Sequence, residues 1–288
     1  RDYKVTGVQT CALPICLHAV RLGGRTLVDL RYAAIDPRLF GLGLHRGVLF
    51  ATLHDAVQRE PGVTLRCGVH VTGVAHAKDG VTLLGEDGPL ATHDLVIAAD
   101  GSVSELHATG GVPVEVREYP WGALWFVAED RARTFRDELY QVVRGARRMY
   151  GVLPTGRGPS GDAPVVSLFW SVKVADHARW REAGLAAWKA EVTSFDARIA
   201  PFLEQITDAK QVLLAKYRDV RMKRWHGDRI VFLGDAAHAM SPQLGQGANL
   251  ALWDAMALAD ELAAEDDAVA VFLGDAAHAM SPQLGQGA

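Results

Sequence analysis

The sequence predicts an α/β fold: a parallel sheet whose chain is interrupted by an inserted domain of antiparallel sheet. Three observations carry this. Two short, wholly apolar runs, 95–99 (LVIAA) and 230–233 (IVFL), are each followed by an acidic residue beside a glycine, Asp100-Gly101 and Gly234-Asp235. Continuous runs of this kind suit strands buried on both faces of a parallel sheet. Between them, residues 121–128, 149–153 and 165–174 are rich in β-branched and aromatic side chains and are separated by a Gly/Pro-rich stretch, 154–164. That is the pattern of an antiparallel sheet.

The other elements follow in order. In 45–60 (HRGVLFATLHDAVQRE), Leu49, Leu53, Ala56 and Val57 recur at helical spacing with Arg46, Asp55, Gln58 and Arg59 mostly off that stripe. The spacing predicts an amphipathic helix stopped by Pro61-Gly62. Val63, Leu65, Cys67, Val69 and Val71 then alternate, and Asp79-Gly80 and Asp87-Gly88 flank 81–84 with turn residues, so a small β-meander is expected. After the middle sheet, Leu185, Trp188, Val192, Phe195 and Ile199 step by three and four, which marks a helix laid over the sheet and ending before Pro201. Beyond the second apolar strand, 242–249 (PQLGQGAN) leads into a mostly apolar helix up to about Ala264.

Composition bounds the partners. The chain has 288 residues, 49% hydrophobic and 22% charged, which excludes disorder as its main state. Thirty Lys+Arg against 34 Asp+Glu leave a net charge of −4, so no basic surface for nucleic acid is implied. No apolar run approaches the roughly 18 residues of a membrane span and no signal-peptide pattern is present, so a cytoplasmic location is expected. The three cysteines, Cys11, Cys16 and Cys67, form no CxxC and no metal-ligand spacing. Neither a disulfide framework nor a structural metal is expected.

Both ends are anomalous. Residues 231–248 (VFLGDAAHAMSPQLGQGA) recur letter for letter as 271–288. A true repeat array drifts over several whole units, so a single identical copy reads as a join rather than an architecture, and only the first copy is followed by its helix. The first copy is expected in the sheet and the second at the periphery. Residues 1–16 (RDYKVTGVQTCALPIC) lack periodicity and are set aside as a non-native leader. The expected organisation is a leader, 1–16; a first part of the cofactor domain, 17–117; a substrate domain, 118–217; a second part of the cofactor domain, 218–264; and a duplicated tail, 265–288.

The chemistry converges on the two strand ends. In open parallel sheets ligands bind beyond the carboxyl ends of the strands, where glycine lets the backbone approach and a carboxylate accepts hydrogen bonds from ribose or ribityl hydroxyls. At Gly245-Gln246-Gly247 a helix begins without bulky side chains, so its unpaired N–H groups can face an anionic ligand. This is the pattern of a nucleotide-type cofactor site.

The run GDAAHAMSPQLGQGANLALWDA, residues 234–255, resembles the second FAD-binding motif of the class A flavoprotein monooxygenases, the p-hydroxybenzoate hydroxylase-like family. Gly234, Asp235, Ala236, Ala237, His238, Pro242, Gly245, Gln246, Gly247, Asn249 and Asp254 fall on the pattern. DLVIAADGSVSELH, residues 94–107, is similar to the family's DG motif through Asp94, Asp100, Gly101 and Ser104; Ala98 replaces a usual glycine, and Glu105 and His107 stand where arginines are common. LHRGVLFATL, residues 44–53, resembles the helix whose leading arginine, here Arg46, reaches the cofactor.

The resemblance implies a Rossmann-like FAD/NAD(P)-binding parallel sheet, incomplete because no strand–GxGxxG–helix unit occurs, with an inserted antiparallel-sheet substrate domain. Roughly 70 to 90 residues, about one βαβ unit and its continuation, are expected to be lost before Leu17, so that the chain is a fragment binding FAD weakly or not at all. The implied activity is hydroxylation of an aromatic or other electron-rich small molecule with FAD, NAD(P)H and O2. Cofactor contacts implied are Arg46, Asp100, Gly101, Gly234, Asp235, Pro242, Gly245, Gln246, Gly247, Ala248 and Asn249, with no metal. His238 is read as a packing or hydrogen-bonding residue. A catalytically inactive fragment and a FAD-dependent reductase of the same superfamily stay open as alternatives; absence of a GxSxG elbow argues against a serine hydrolase, and absence of WxWxIP against a halogenase.

Overall fold

A computed structural model of the chain describes residues 13–135, 137–145, 148–158, 161–242 and 245–264. The chain opens with β1 (Leu13–Arg21), β2 (Thr26–Leu30), β3 (Gly41–Gly43) and α1 (Arg46–Arg59). The meander β4 (Val71–Ala77), β5 (Gly80–Gly85) and β6 (Gly88–His93) leads to β7 (Val96–Ala98). Then come β8 (Val114–Glu129), β9 (Glu138–Arg144), β10 (Arg148–Arg157), β11 (Pro164–Lys173), α2 (His177–Thr193) and α3 (Ala200–Glu204). The last elements are β12 (Leu213–Met222), β13 (His226–Gly227), β14 (Ile230–Phe232), α4 (Asp235–His238) and α5 (Gly247–Ala264).

Contacts divide these elements into two compact units, one holding the described residues up to Leu65 with Pro120–Lys216, the other Arg66–Tyr119 with the described residues from Tyr217 onward. The part expected as 17–117 is therefore shared between both.

The first unit carries the large sheet, ordered β12-β8-β11-β10-β9-β1-β2 with β3 beside β1. Strands β8, β11, β10 and β9 pair antiparallel in turn, β8, β10 and β11 from the predicted β-branched and aromatic runs and β9 beyond them, while β1 joins β9 in parallel. Along β11, Val166, Leu168, Trp170 and Val172 are buried and the residues between them are not. That period of two turns one face of the sheet onto the helical layer. Leu124, Phe126, Val152 and Trp170 pack there with Trp188 and Val192 of α2 and with Phe195 and Ile199 beyond it. Each such burial is worth about 1.5–3 kcal/mol before its conformational entropy is counted. Phe126 meets Trp188 edge-on at 5.8 Å, and Trp170 meets Phe195 at 4.9 Å.

Trp188, Val192, Phe195 and Ile199 all point inward, yet the helix itself stops at Thr193, and Ile199 lies on a separate 3-10 turn. Gly184, at φ 79°, interrupts α2 just before Leu185. Pro201 falls in the first turn of α3, where its missing N–H costs nothing. Beneath this layer the Tyr150 hydroxyl donates to Asp196 Oδ2 at 2.8 Å, and Arg198 grips the same carboxylate.

In the second unit, β4, β5 and β6 form the expected meander, and β7, β14 and β13 form a three-stranded sheet in which β7 and β14 run parallel. The fold class is thus the predicted α/β arrangement, with a parallel pair and, in the other unit, a mostly antiparallel sheet whose strands β8 to β12 come from the chain between β7 and β14 and whose β1 to β3 precede β7.

Several local expectations are corrected. Leu13–Cys16 are strand: β1 pairs β3 through Leu13, Pro14 and Ile15, and Cys16 sits opposite Glu138. The alternating stretch from Val63 to Val69 is exposed and forms no strand, because no neighbouring strand lies beside it among the described residues. β10 continues through Pro154, which pairs with Val166, to Arg157. The apolar stripe of α1 is not covered by described residues: Leu53 and Val57 are exposed and no residue of the helix is buried. β7 is buried on one face only; Val96 and Ala98 are enclosed while Ile97 is 48% exposed, because the α5 side chain Leu258 that packs on Val231 of β14 does not reach the same face at Ile97. The second motif copy, 271–288, and residues 1–12 lie outside the described residues. Among those described, no helix is long and apolar enough to cross a membrane.

Candidate cofactor site

The parallel register places the two acidic loops at one sheet edge. Ile230, Val231 and Phe232 lie opposite Val96, Ile97 and Ala98, and Leu233 N donates to the Ala98 carbonyl at 2.9 Å. The chain therefore leaves both strands at the same end, into Asp100-Gly101 from β7 and Gly234-Asp235 from β14. β14 is wholly buried, so the residues just past it are held firmly while Asp235 itself is exposed. Gly101, at φ 88°, has no atom within 4 Å of where a Cβ would stand, and Ser104 N closes the turn onto the Gly101 carbonyl at 3.0 Å.

Gly234 begins the single-turn helix α4 with φ 56° and ψ −137°, a backbone that L side chains avoid. Its N–H donates to Asp254 Oδ2 at 2.9 Å, and the same oxygen accepts His238 Nε2 at 2.6 Å. Asp254 is buried in α5, so a charge that would be costly alone is met by two donors. The His238 ring lies 4.7 Å from that of Trp225. His238 therefore holds structure, as its sequence context suggested.

The start of α5 faces Asp235: a Cβ on Gly247 would stand 3.8 Å from Asp235 Oδ1. Ahead of it, Gly245 N donates to the Pro242 carbonyl and Gly245 takes φ 62°, which turns the chain toward the helix. Asn249 Nδ2 donates to Gln246 Oε1 at 3.2 Å, and Ala248 is exposed in the first turn. Gly234, Asp235, Gly245, Gln246, Gly247, Ala248 and Asn249 thus surround one helix start, with Pro242 at its approach. Arg46 opens α1 in the first unit, next to the N-cap residue His45, whose Nδ1 accepts Gly47 N at 3.1 Å.

This edge fits a flavin's polar chain and ring. Open backbone at Gly101 and Gly245, an exposed carboxylate at Asp235 and a helix N-terminus of 18 residues' length offer what hydroxyls and an electron-rich ring edge need. Around it, His70 bridges Glu86 and Glu105, at 3.0 Å to each. Its hydrogen bond to Glu86, then that to Glu105, raises its pKa above the ordinary histidine range.

One residue of this site was not legible as such. His107, noted only for not being arginine, points Nε2 at the Ala236 carbonyl at 2.6 Å. Asp254 was legible as a motif position and as an acid inside an apolar helix that needs a backbone partner, which Gly234 N supplies.

In the first unit, the face of the large sheet opposite the helices carries half-buried aromatics. Trp125 and Phe169 lie 5.2 Å apart, Phe169 covers Gly151, and Lys173 stands 5.7 Å from the Trp121 ring.

Comparison with known proteins places the chain in a family. The chain is 28% identical over 235 residues to aurachin C monooxygenase/isomerase of Stigmatella aurantiaca, covering 77% of this chain and 55% of that protein. It is 28% identical over 242 residues to 3-hydroxybenzoate 6-hydroxylase of Klebsiella oxytoca, again 77% of this chain and 55% of that protein. The chain thus spans little more than half the length of these relatives. Among solved structures, Klebsiella pneumoniae HpxO complexed with FAD and uric acid shares the fold, with a TM-score of 0.72, 22% identity, and coverage of 93% of this chain and 68% of that one. The FAD binding domain profile matches residues 49–270, well over half of the sequence and both acidic loops, and the chain accordingly belongs to the FAD-binding domain family.

Proposed function

We propose that this protein serves an FAD-dependent monooxygenase reaction in which an aromatic or other electron-rich small molecule is hydroxylated with NAD(P)H and O2. The observation that carries the reading is the delivery of Asp100-Gly101 and Gly234-Asp235 to one edge by parallel β7 and β14, with the start of α5 against Asp235. The chemistry FAD supplies when bound is acceptance of a hydride and activation of O2. The protein's part is to hold and orient. Asp235 and Asp100 accept hydrogen bonds from cofactor hydroxyls. Gly101, Gly245 and Gly247 keep the backbone open, and the N–H groups at Ala248 and Asn249 favour negative charge on the ring. Pro242 and Gln246 shape the approach. Arg46 is assigned a further cofactor contact from the family resemblance. The aromatic face around Trp125 and Phe169 supports a planar substrate.

Titration with FAD, followed by flavin fluorescence, tests the reading. Because the sequence lacks a strand–GxGxxG–helix unit, binding is expected to be weak; saturable quenching that nonetheless weakens at least tenfold, about 1.4 kcal/mol, in Asp235→Ala is expected. No saturable signal up to about 1 mM, or equal binding by Asp235→Ala, refutes it. NAD(P)H consumption with a panel of phenols then measures turnover; consumption at the free-flavin background assigns the chain to the inactive alternative.

A further inference from the structure

α4 is a single turn. It ends at His238, and Ala239 has already left for extended backbone at ψ 140°. The carbonyl of Ala236, a fully buried residue, is therefore past the reach of the usual helical donor four residues on. His107 fills that place, its Nε2 donating at 2.6 Å from 129 residues away in sequence. A carbonyl only accepts, so the hydrogen must lie on Nε2. The same ring tilts over Phe232, the last residue of β14, at 5.5 Å. His107 thus touches both the end of the strand and the turn that follows it.

The tie is continuous with the other acidic loop. His107 sits on the 3-10 turn Glu105–Ala108, whose preceding residue, Ser104, donates its N–H to the Gly101 carbonyl. A path of chain and hydrogen bonds runs from Gly101 through Ser104 and His107 to Ala236, one residue beyond Asp235. The far side of the turn is anchored separately to α5, through Asp254 with Gly234 N and His238. Removing Asp254 would loosen the turn from α5; removing His107 would loosen the Asp235 turn from the segment that follows Asp100, with the strand-end bond from Leu233 N to the Ala98 carbonyl left in place.

We propose that His107 is a positioning residue that sets the spacing of the Asp100 and Asp235 loops for the cofactor. The proposal rests on the reading that a flavin binds between these loops. With the tie absent, the turn samples arrangements that cannot bind, and apparent affinity falls by the fraction that remains competent.

The test compares the unaltered chain with His107→Phe, which keeps the ring over Phe232 but not the donor, and His107→Gln, which restores a donor. FAD half-saturation is read by flavin fluorescence, and amide hydrogen exchange is read without flavin. His107→Phe is expected to raise half-saturation about tenfold to a hundredfold. It should speed exchange at Ala237 and His238 about tenfold or more, with β10 amides of the other unit unchanged. His107→Gln should return both to within about threefold. Half-saturation in His107→Phe within about twofold of the unaltered chain overturns the proposal, whatever the exchange shows. Absence of any saturable flavin signal from the unaltered chain overturns the flavin reading and the positioning role with it, while the exchange rates separately report whether the tie holds the turn. Should His107→Phe not fold, His107→Gln decides: affinity within about threefold supports the proposal and loss overturns it.

Discussion

Replacing Gly234 by alanine perturbs the cofactor edge at its most constrained residue. At φ 56° and ψ −137° the backbone lies where an L side chain is strained, which costs about 1–3 kcal/mol. The added Cβ would also stand 3.0 Å from the Ala251 Cβ on α5, and pressing a methyl into a filled contact costs about 1 kcal/mol or more. The turn cannot relax freely, because Gly234 N is bound to buried Asp254. We therefore expect Gly234→Ala to lower the stability of the second unit by about 2–4 kcal/mol, equivalent to about thirtyfold to a thousandfold faster exchange through unfolding. Native-state hydrogen exchange at the amides of β14 measures this, with those of β10 as the internal reference. Gly247→Ala is the control: its Cβ meets only Asp235 Oδ1 at an ordinary 3.8 Å, and alanine favours a helix over glycine by about 0.4–1 kcal/mol. A Gly234→Ala variant within about 0.5 kcal/mol of the unaltered chain would refute the reasoning.

Two further outcomes are expected. Asp254→Ala leaves Gly234 N–H and His238 Nε2 without their acceptor beside a buried helix, and should destabilise the second unit by about 2–4 kcal/mol in the same exchange measurement, from about 1–3 kcal/mol for each orphaned donor. In the first unit, burial disfavours the Asp196 carboxylate, but the hydrogen bonds from Arg198 and from the Tyr150 hydroxyl outweigh it and hold the pKa below the ordinary aspartate range. A lowered folded pKa contributes stability that is fully present above the unfolded value, about 3.9, and is lost as pH falls through the folded one. Acid unfolding of the first unit should therefore lose part of its pH dependence below about 4 in Arg198→Gln, as read from urea midpoints at successive pH values.

Much of this molecule is written locally. The β8, β10 and β11 runs, the inward positions Trp188, Val192, Phe195 and Ile199, and the turns at Asp79-Gly80 and Asp87-Gly88 all follow from side-chain period and turn chemistry within a few residues. The two Gly/Asp loops were visible for the same reason, since an apolar run that stops at such a pair marks the end of a buried strand. Where the reading slipped, the deciding neighbour was not local. The alternation from Val63 to Val69 is a strand pattern, yet no strand lies beside it among the described residues. The stripe on α1 has the helical period, but period alone says nothing of what covers it. Ile97 follows the buried-strand pattern and is half exposed because the helix packed over its neighbour Val231 does not reach it.

The chain alone specified which residues would end up as strand, turn and helix start, because those preferences act between near neighbours and survive without the rest of the fold. The sequence read β7 and β14 as strands of one parallel sheet, but only the folded structure decided their register, Ile230 opposite Val96 across more than 130 residues. It alone brought His107 to the Ala236 carbonyl and Asp254 to Gly234 N. Pairings of this kind are chosen by burial and by the need to satisfy enclosed polar groups, and no local pattern records which distant residue will meet that need.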